Sequence, residues 1–412
     1  MQTKVRLNQL REDIAKYRYN PRLTKHFDWP LFLLVIAISL YGVVAIFSAT
    51  ATATETEVTG FIDMLSTHST YYARLQLLWI AAGIVAMIAV IFFDYRLYGK
   101  YADLIYWANI VILLAVLTVE VGRGGMTAFF KWGSSGERGL QPSEFGKAAI
   151  IIALAKLFSN RKKPIQTVRE LLPAVLYVFI PLILVVAQPD FGTALVYVAI
   201  FAVLLWVTGT NMKLIVGVLA VGVCMLVPLW YYMNASSDSF RLTRILMWLY
   251  PEDYASAAAQ VLNGQIAIGS GGLTGKGIAS LGSFASLGFI PDDHTDFCFA
   301  ILCETFGFVG ACVLIVLFAV LLGRLIWHSL HVEDLFGSYI IIGVMAMFLF
   351  HIVENICMII GLLPVTGIPL PFVSYGGSNY LTNMMCIGLV MNVVMNSRLD
   401  RKLHDNQYTR SL

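Results

Sequence analysis

The sequence predicts an all-α polytopic membrane protein with about ten transmembrane helices and a large outer loop between helices 7 and 8. Of its 412 residues, 58% are hydrophobic and 13% are charged, whereas soluble domains carry about 25% charged residues. The apolar residues gather into ten runs, most of them close to the ~20 residues that a membrane-spanning helix needs. The runs lack the alternation of barrel strands, so helices are the structure that satisfies their backbone in lipid.

The predicted spans follow one another from near the amino terminus to near the carboxyl terminus. The fourth is short and the eighth is long, so the bounds can shift by about two to four residues. The ten runs are Trp29–Ser48, Leu77–Phe93, Tyr101–Val119, Phe145–Phe158, Leu171–Ala187, Phe191–Thr208, Leu214–Met233, Phe297–Trp327, Tyr339–Leu363 and Tyr380–Met395.

Lysine and arginine set the expected orientation. They concentrate in the amino-terminal tail, in the loop after the fourth run and in the carboxyl tail, and basic loops stay in the cytoplasm. We therefore expect residues 1–28 to form a cytoplasmic tail, residues 29–397 a ten-helix membrane domain, and residues 398–412 a second cytoplasmic tail. Residues 234–296 would form the extracytoplasmic loop. The net charge of +3 then reflects topology, and nucleic acid is not an expected partner.

The segment Gln141–Lys147 opens the fourth predicted span with charged residues. Glu144 and Lys147 are three residues apart and share a helix face. Two interpretations remain at this point: a structural ion pair, or a charged wall for an anionic headgroup. A second polar turn, Gln188–Thr193, contains Asp190, for which a helix cap is favoured over catalysis.

The predicted outer loop contains Arg244 and the glycine-rich stretch Gly269–Gly277. The stretch does not fit a nucleotide-binding loop, because Ser270 stands where the first glycine belongs and Gly277 follows Lys276. We expect it to lend N–H groups and Lys276 to a lipid pyrophosphate instead. The loop ends at Asp296, which from its position is either a helix cap or a general base.

The segment Gly361–Gly377 holds three prolines and four glycines, so it cannot form a regular span. Irregular backbone at membrane depth survives only against protein or a wet cavity, so this segment is expected to line a polar cavity. His351 and Glu354, one helical turn apart, are interpreted as internal partners. The six cysteines lie in or beside apolar runs without a Cys-x-x-Cys pair, which favours neither disulfides nor a metal site.

These polar segments resemble the SEDS family (shape, elongation, division and sporulation). Leu363–Pro371 is similar to the elongation-type branch, since the division-type branch usually has Thr-Lys-Gly-Leu-Thr-Leu-Pro there. The matching stretches, in chain order, are Lys131-Trp132, Gln141-Pro-Ser-Glu144, Gln188-Pro-Asp-Phe-Gly192, Arg244, Ile268–Gly272, His294-Thr-Asp296 and Leu363–Ser378.

The resemblance implies a peptidoglycan glycosyltransferase that polymerises lipid II in the bacterial inner membrane. Asp296 matches the aspartate regarded as essential in the family and would act as the general base. In one departure, Thr305 replaces the second acid of a common Glu-Glu pair and leaves Glu304 alone. The expected substrate-binding residues are Trp132, Glu144, Lys147, Arg244, Lys276, His294, Ser374 and Tyr375.

The same resemblance implies partners: a class B penicillin-binding protein that cross-links the product, and elongation-complex proteins of the MreC, MreD and RodZ types. No tightly bound cofactor is expected, although an assisting divalent cation, Mg²⁺ or Mn²⁺, stays open. A flippase that moves lipid II without chemistry is the main alternative function. It would need access from both faces, whereas the polar motifs crowd one face. A non-catalytic scaffold and a division-type polymerase are the others.

Overall fold

The computed structural model describes residues 21–50, 71–118, 130–132, 138–188, 190–235, 239–280, 282–290 and 294–411. After a short 3-10 helix, Pro21–His26, its helices are α1 (Trp29–Thr50), α2 (Tyr71–Ile91), α3 (Tyr95–Lys100), α4 (Ala102–Thr118), α5 (Pro142–Ser159), α6 (Val168–Ala187), α7 (Phe191–Val207), α8 (Met212–Ala235), α9 (Ser239–Leu249), α10 (Ala255–Ser270), α11 (Cys298–His331), α12 (Leu335–Ile359) and α13 (Gly377–Ser411). Strands β1 (Phe130–Trp132) and β2 (Arg138–Leu140) pair antiparallel, with Lys131 opposite Gly139.

Each of the ten predicted spans is a helix in the structure, so the predicted polytopic helical fold is confirmed. Among the described residues, five helices are long and apolar enough to cross a membrane: α1, α2, α6, α11 and α12. Shorter apolar helices are α4, α7 and the first part of α8. The other two predicted spans are α5, which carries three charged residues, and α13, whose carboxyl-terminal end is rich in charge.

Helix α5 is the centre of the bundle. Fourteen of its 18 residues are buried, and it packs against α4, α6, α7, α12 and α13. Small residues allow this crowding. A methyl group on Gly343 of α12 would lie 2.8 Å from the Ile151 side chain, so α12 approaches α5 closely only because glycine stands there.

Two regions contain more helix than the sequence indicated. The segment predicted as an outer loop, 234–296, contains α9 and α10, and α10 packs against α11. The mixed composition of α9 and α10 gives no long apolar run, so hydrophobicity does not predict either helix as a membrane span. The last helix, α13, also continues through most of the segment 398–412 that was predicted as a separate tail.

Helix α11 is broken at Gly307, whose φ of 67° and ψ of −164° are not helical. The break leaves carbonyl and N–H groups without helical partners, which lipid would not tolerate. The loop after α10 supplies the partners. The N–H groups of Lys276 and Gly277 donate to the carbonyls of Glu304 and Thr305 at 2.9 and 3.1 Å. In return, Phe308 and Val309 donate to Gly272 and Leu273 at 2.9 and 3.1 Å.

Candidate functional site

Asp296 lies immediately before α11, at the edge of the irregular segment between α12 and α13. A methyl group on Gly367 would lie 3.2 Å from Asp296 Oδ2 and 3.8 Å from Arg244 Nη1, so the carboxylate and the guanidinium converge on this glycine. Phe297 occupies the N-cap position of α11. Asp296 precedes that residue, and both of its alternatives, helix cap and general base, stay predictions.

Arg244 comes from α9, the helix that the sequence did not predict. Its Nη1 donates to the carbonyls of Val365 and Thr366 at 3.5 and 3.4 Å. Burial lowers the pKa of the Arg244 guanidinium, and the Asp296 carboxylate raises it. An arginine keeps its charge at neutral pH even so. A half-buried cation and a half-buried carboxylate thus face each other where α9, α11 and the irregular segment meet.

The irregular segment 361–376 is held at several points. Trp248 Nε1 donates to the Gly361 carbonyl at 3.0 Å, so α9 fixes the start of the segment. Gly361 and Gly367 have φ values of 84° and 78°, which glycine adopts without a steric penalty. Further along, Ser374 Oγ accepts a hydrogen bond from the Leu370 N–H at 2.9 Å. Ser374 is buried. The predicted irregular backbone is confirmed, and the Ser374 hydroxyl contributes to its internal bonding.

Asn355 anchors the backbone of Asp296, a role that no sequence signal indicated. Its Nδ2 donates to the Asp296 carbonyl at 2.9 Å and to the Ile368 carbonyl at 2.7 Å. Asn355 lies on α12 and is fully buried. One side chain thus ties the start of α11 to the irregular segment.

An aromatic cluster includes His294, which precedes Asp296 by two residues in the chain. The rings of Tyr72 and His294 are 4.3 Å apart between centroids, and those of Tyr72 and Tyr375 are 5.2 Å apart. The N–H of Tyr375 donates to the His294 carbonyl at 2.9 Å. Two predicted substrate-binding residues, His294 and Tyr375, are therefore brought together. Tyr72, at the start of α2, joins them without having been predicted.

Glu144 and Lys147 form a buried ion pair in α5. Lys147 Nζ lies 2.8 Å from Glu144 Oε1, with side chains 0% and 5% exposed, respectively. Asn379 donates to Glu144 at 3.0 Å, and Lys147 lies 3.1 Å from His351 Nε2. The structure thus places the pair inside the bundle, and the contacts of His351 are internal as expected. A substrate-binding role for the pair stays a prediction.

Helix α12 carries one contact to the charged pair and another to the irregular segment. His351, which contacts Lys147, lies one turn from Glu354, whose carboxylate accepts a hydrogen bond from Thr366 Oγ1. The Thr366 carbonyl in turn accepts from Arg244. Helix α12 therefore contacts the ion pair in the first turns of α5 through His351, and the irregular segment 361–376 through Glu354.

Lys276 pairs with Glu304 inside the protein. Its Nζ lies 2.6 Å from Glu304 Oε1, which also accepts from the Phe284 N–H at 2.8 Å. Since the N–H groups of Lys276 and Gly277 bind α11 as well, these two amides are not presented to a ligand as the sequence had suggested. Lys276 as a phosphate ligand stays a prediction.

The remaining predicted residues lie around the amino end of α5. Asp190 caps α7 by accepting from the Thr193 N–H at 3.0 Å, which confirms its predicted role. It also accepts from Gln141 Nε2 at 2.7 Å and thereby joins two of the motifs. Trp132 belongs to β1, and its side chain is outside the described part of the structure.

Within the described segments, no group of three or more His, Cys, Asp and Glu side chains is arranged to hold a metal ion. The side chains around Asp296 include a guanidinium, which repels a cation. An assisting divalent cation stays a prediction, and the chemistry below is assigned to protein side chains.

The ten helices that match the predicted spans pack around buried polar groups, and a carboxylate and a guanidinium meet at an irregular segment. These features define a polytopic helical membrane protein with a polar site at one end of its bundle. The chain belongs to the FtsW/RodA/SpoVE family, described as cell cycle proteins, which its sequence matches over residues 28–399. The resemblance to SEDS proteins is confirmed.

Individual relatives agree over nearly the whole chain. Stage V sporulation protein E of Bacillus subtilis (strain 168) is 34% identical over 381 residues, covering 91% of this chain and 99% of its own. Peptidoglycan glycosyltransferase MrdB of Escherichia coli (strain K12) is 33% identical over 371 residues, covering 89% and 93%. A chain of a peptidoglycan synthase complex, described as coordinating polymerization and crosslinking, superposes with a TM-score of 0.71 at 27% identity, covering 90% and 98%.

Proposed function

We propose that this chain polymerises lipid II into glycan strands, with Asp296 as the general base. Family membership makes it a peptidoglycan glycosyltransferase, the activity in the name of its MrdB relative. The observation that carries the proposal is the convergence of Asp296 and Arg244 on Gly367. A half-buried carboxylate beside a fixed cation suits a reaction that removes a proton and releases a diphosphate.

The reaction needs one base and one positive group. Asp296 takes the proton from the acceptor sugar hydroxyl as that oxygen attacks the anomeric carbon of the donor. The bond between the anomeric carbon and the lipid diphosphate breaks, and the diphosphate leaves with the bonding electrons. Arg244 stabilises the negative charge that develops on it. One displacement inverts the anomeric centre, so the α-linked donor becomes a β-linked strand, and no ATP is required.

The other predicted residues would serve the same substrate. His294 and Tyr375, packed with Tyr72, stand where sugar rings would approach Asp296. Trp132, Lys276 and Ser374 are proposed to contact or shape the donor end. Glu144 and Lys147 would contribute from inside the bundle, where their paired charges keep α5 in register with His351 and Asn379.

We also propose the cellular setting. The distribution of lysine and arginine favours cytoplasmic termini, which puts Asp296 at the outer face of the bacterial inner membrane. Lipid II is presented there after transport. A class B penicillin-binding protein would cross-link the strands, and proteins of the MreC, MreD and RodZ types would organise the complex. The Leu363–Pro371 pattern favours RodA-like elongation over FtsW-like division.

The test is polymerisation of labelled lipid II by purified protein in detergent or nanodiscs. Asp296→Asn is expected to lower the rate by roughly 10²–10⁴, the usual contribution of a general base. Asp190→Asn is the matched control, because asparagine also caps helices and should leave the rate unchanged. A correctly folded Asp296→Asn protein with the wild-type rate would eliminate the base assignment. Lipid II that crosses a vesicle membrane without glycan product would indicate the flippase instead.

The elongation role needs a cellular assay. In a rod-shaped bacterium depleted of its own elongation-type polymerase, this chain is expected to restore rod shape when a cognate penicillin-binding protein is supplied. Restored septation with rounded cells would assign it to division. Omitting the penicillin-binding protein from the purified assay then shows whether polymerisation depends on that partner.

A further inference from the structure

The buried side chain of Asn355 contacts two parts of the candidate site, the backbone at Asp296 and the irregular segment 361–376. It is 0% exposed, and its Nδ2 donates to the carbonyls of Asp296 and Ile368 at 2.9 and 2.7 Å. Its Oδ1 has no hydrogen-bond partner among the described residues. The contribution of this amide is therefore donation to two main-chain oxygens that lie in separate parts of the chain.

The first of these bonds orients the peptide unit between Asp296 and Phe297. The carbonyl direction fixes the main chain at Asp296, and with it the direction in which the side chain leaves the backbone. Phe297 is buried, and a methyl group on Gly264 of α10 would lie 3.0 Å from its ring. The Tyr375 N–H holds the His294 carbonyl two residues earlier. The Asn355 bond therefore acts on a short stretch that is fixed on both sides.

The second bond holds the residue after Gly367, the glycine on which the Asp296 carboxylate and Arg244 converge. A single amide thus sets the distance between the start of α11 and the segment against which the carboxylate rests. Arg244 contacts that same segment through the carbonyls of Val365 and Thr366. Loss of the amide would let the carboxylate and its cation move relative to each other.

We propose that Asn355 is the positioning residue for the general base, acting through the backbone of Asp296 and never contacting the reacting atoms. The inference rests on the proposed function of Asp296. A displacement of about 1 Å in a reacting group can lower a rate about 100-fold. The expected signature is a fall in kcat with little change in KM for lipid II, because the surfaces that bind the lipid and the sugars stay in place.

Asn392 provides the matched control. It is 1% exposed, and its Nδ2 likewise donates to two carbonyls, those of Val90 (3.0 Å) and Phe93. It also accepts from the Tyr95 N–H at 3.0 Å, so its replacement removes more hydrogen bonds than replacement of Asn355 does. It lies far along α13 from the Asp296 end of the bundle.

The experiment compares Asn355→Leu with Asn392→Leu in nanodiscs. It measures kcat and KM for lipid II polymerisation and the Tm of each protein. Asn355→Leu is expected to lower kcat roughly 10- to 100-fold with KM within about twofold. Asn392→Leu should lower Tm by at least as much while kcat per folded molecule stays within about twofold. If Asn355→Leu does not fold, Asn355→Ser, which is smaller and still polar, is measured in its place.

Equal proportional losses of kcat in both variants, or a normal kcat in the folded Asn355 variant, would overturn the positioning role. Asp296→Asn is measured in parallel to separate the two proposals. An inactive Asp296→Asn with an unaffected Asn355 variant defeats the positioning role alone. An active Asp296→Asn defeats the base assignment, whatever Asn355 does.

Discussion

An aspartate lies close to arginine at each end of α11, but the two carboxylates differ in how far the protein buries them. At its carboxyl end, Asp28 is 1% exposed and binds Arg324, His328 and Arg398, with the closest atoms of His328 and Arg398 at 2.6 and 3.1 Å. At its amino end, Asp296 is half-buried, and its carboxylate lies against Gly367 with Arg244 beside it.

The difference lies in how far each carboxylate is enclosed by the protein. Asp28 also accepts from the Leu31 N–H at 3.2 Å, so its bonds join the start of α1 to α11 and α13. A carboxylate enclosed in this way holds helices together. Asp296 keeps part of its surface accessible, and its main-chain carbonyl accepts a hydrogen bond from the Asn355 amide. The same pair of chemical groups therefore stabilises the bundle at one end, and at the other end it is the pair that we propose acts on a substrate.

Asp28→Asn should have the largest effect on stability. Removing one partner of a buried ion pair costs about 3–5 kcal/mol, and the lower end applies because the two arginines reach water. The measurement is Tm in nanodiscs, with kcat per folded molecule expected to be unchanged. A loss of activity at unchanged Tm would show that the two ends of α11 do not divide the roles in this way.

The same variant gives a pH dependence. Burial raises the pKa of the Asp28 carboxyl, but hydrogen bonds from His328 and Arg324 lower it by more, so it lies well below its ordinary value of about 4. The stability it contributes is present above that ordinary value and is lost only as the pH falls through the lowered folded-state value. The Tm difference between wild type and Asp28→Asn should therefore not shrink as the pH is lowered from about 8 to about 5, because Asp28 stays ionised throughout that range.

Arg244→Met should show the opposite pattern. Removing one group that stabilises charge in a transition state lowers kcat roughly 10²–10³-fold. Because Arg244 lies on the short helix α9 and is half-buried, Tm should change little. The measurement is the lipid II polymerisation rate beside Arg398→Met, which is expected to lower Tm and leave kcat alone. Equal kcat values for Arg244→Met and wild type would remove the diphosphate role.

Gly367→Ala should produce the smallest effect and the most local one. Its φ is 78°, and a methyl group there would lie 3.2 Å from Asp296 Oδ2. The backbone strain costs roughly 1 kcal/mol, and the methyl group would displace the carboxylate enough to lower kcat severalfold. Gly209→Ala is the control, since its φ is 71° but the nearest atom, in Pro164, would be 3.6 Å away. Similar kcat values for the two variants would show that Asp296 does not depend on Gly367.

Much of the fold could be predicted because its signals are local. A hydrophobic run needs no knowledge of its neighbours, which is why all ten spans and the irregular Gly361–Gly377 segment were found. The Asp190 cap also depends on residues only three positions away. Helices α9 and α10 were missed because their mixed composition leaves no apolar run to mark them.

The site was only partly predictable because its contacts are distant in sequence. Asp296 and Arg244 were named singly, but their meeting at Gly367 depends on three separate segments. Asn355 lies 59 positions from Asp296, and Arg324 lies 296 positions from Asp28. Lys276 was expected to bind a phosphate, and its pairing with Glu304, 28 positions away, had no signal in the sequence. A single sequence carries no signal for which distant residues become neighbours.

The backbone contacts between the loop after α10, residues 271–277, and α11 at its break near Gly307 limit how segments of this protein can be exchanged with those of a relative. A methyl group on Gly271, Gly275 or Gly307 would lie 2.2, 2.1 or 2.4 Å from main-chain atoms of the facing segment. Backbone meets backbone there with no side chain to absorb a mismatch. The loop after α10 and the broken part of α11 therefore have to be exchanged together if their backbone contacts are to be kept. A chimera that exchanges either half alone with a relative would have to reproduce this fit, whereas exchanging both together would preserve it.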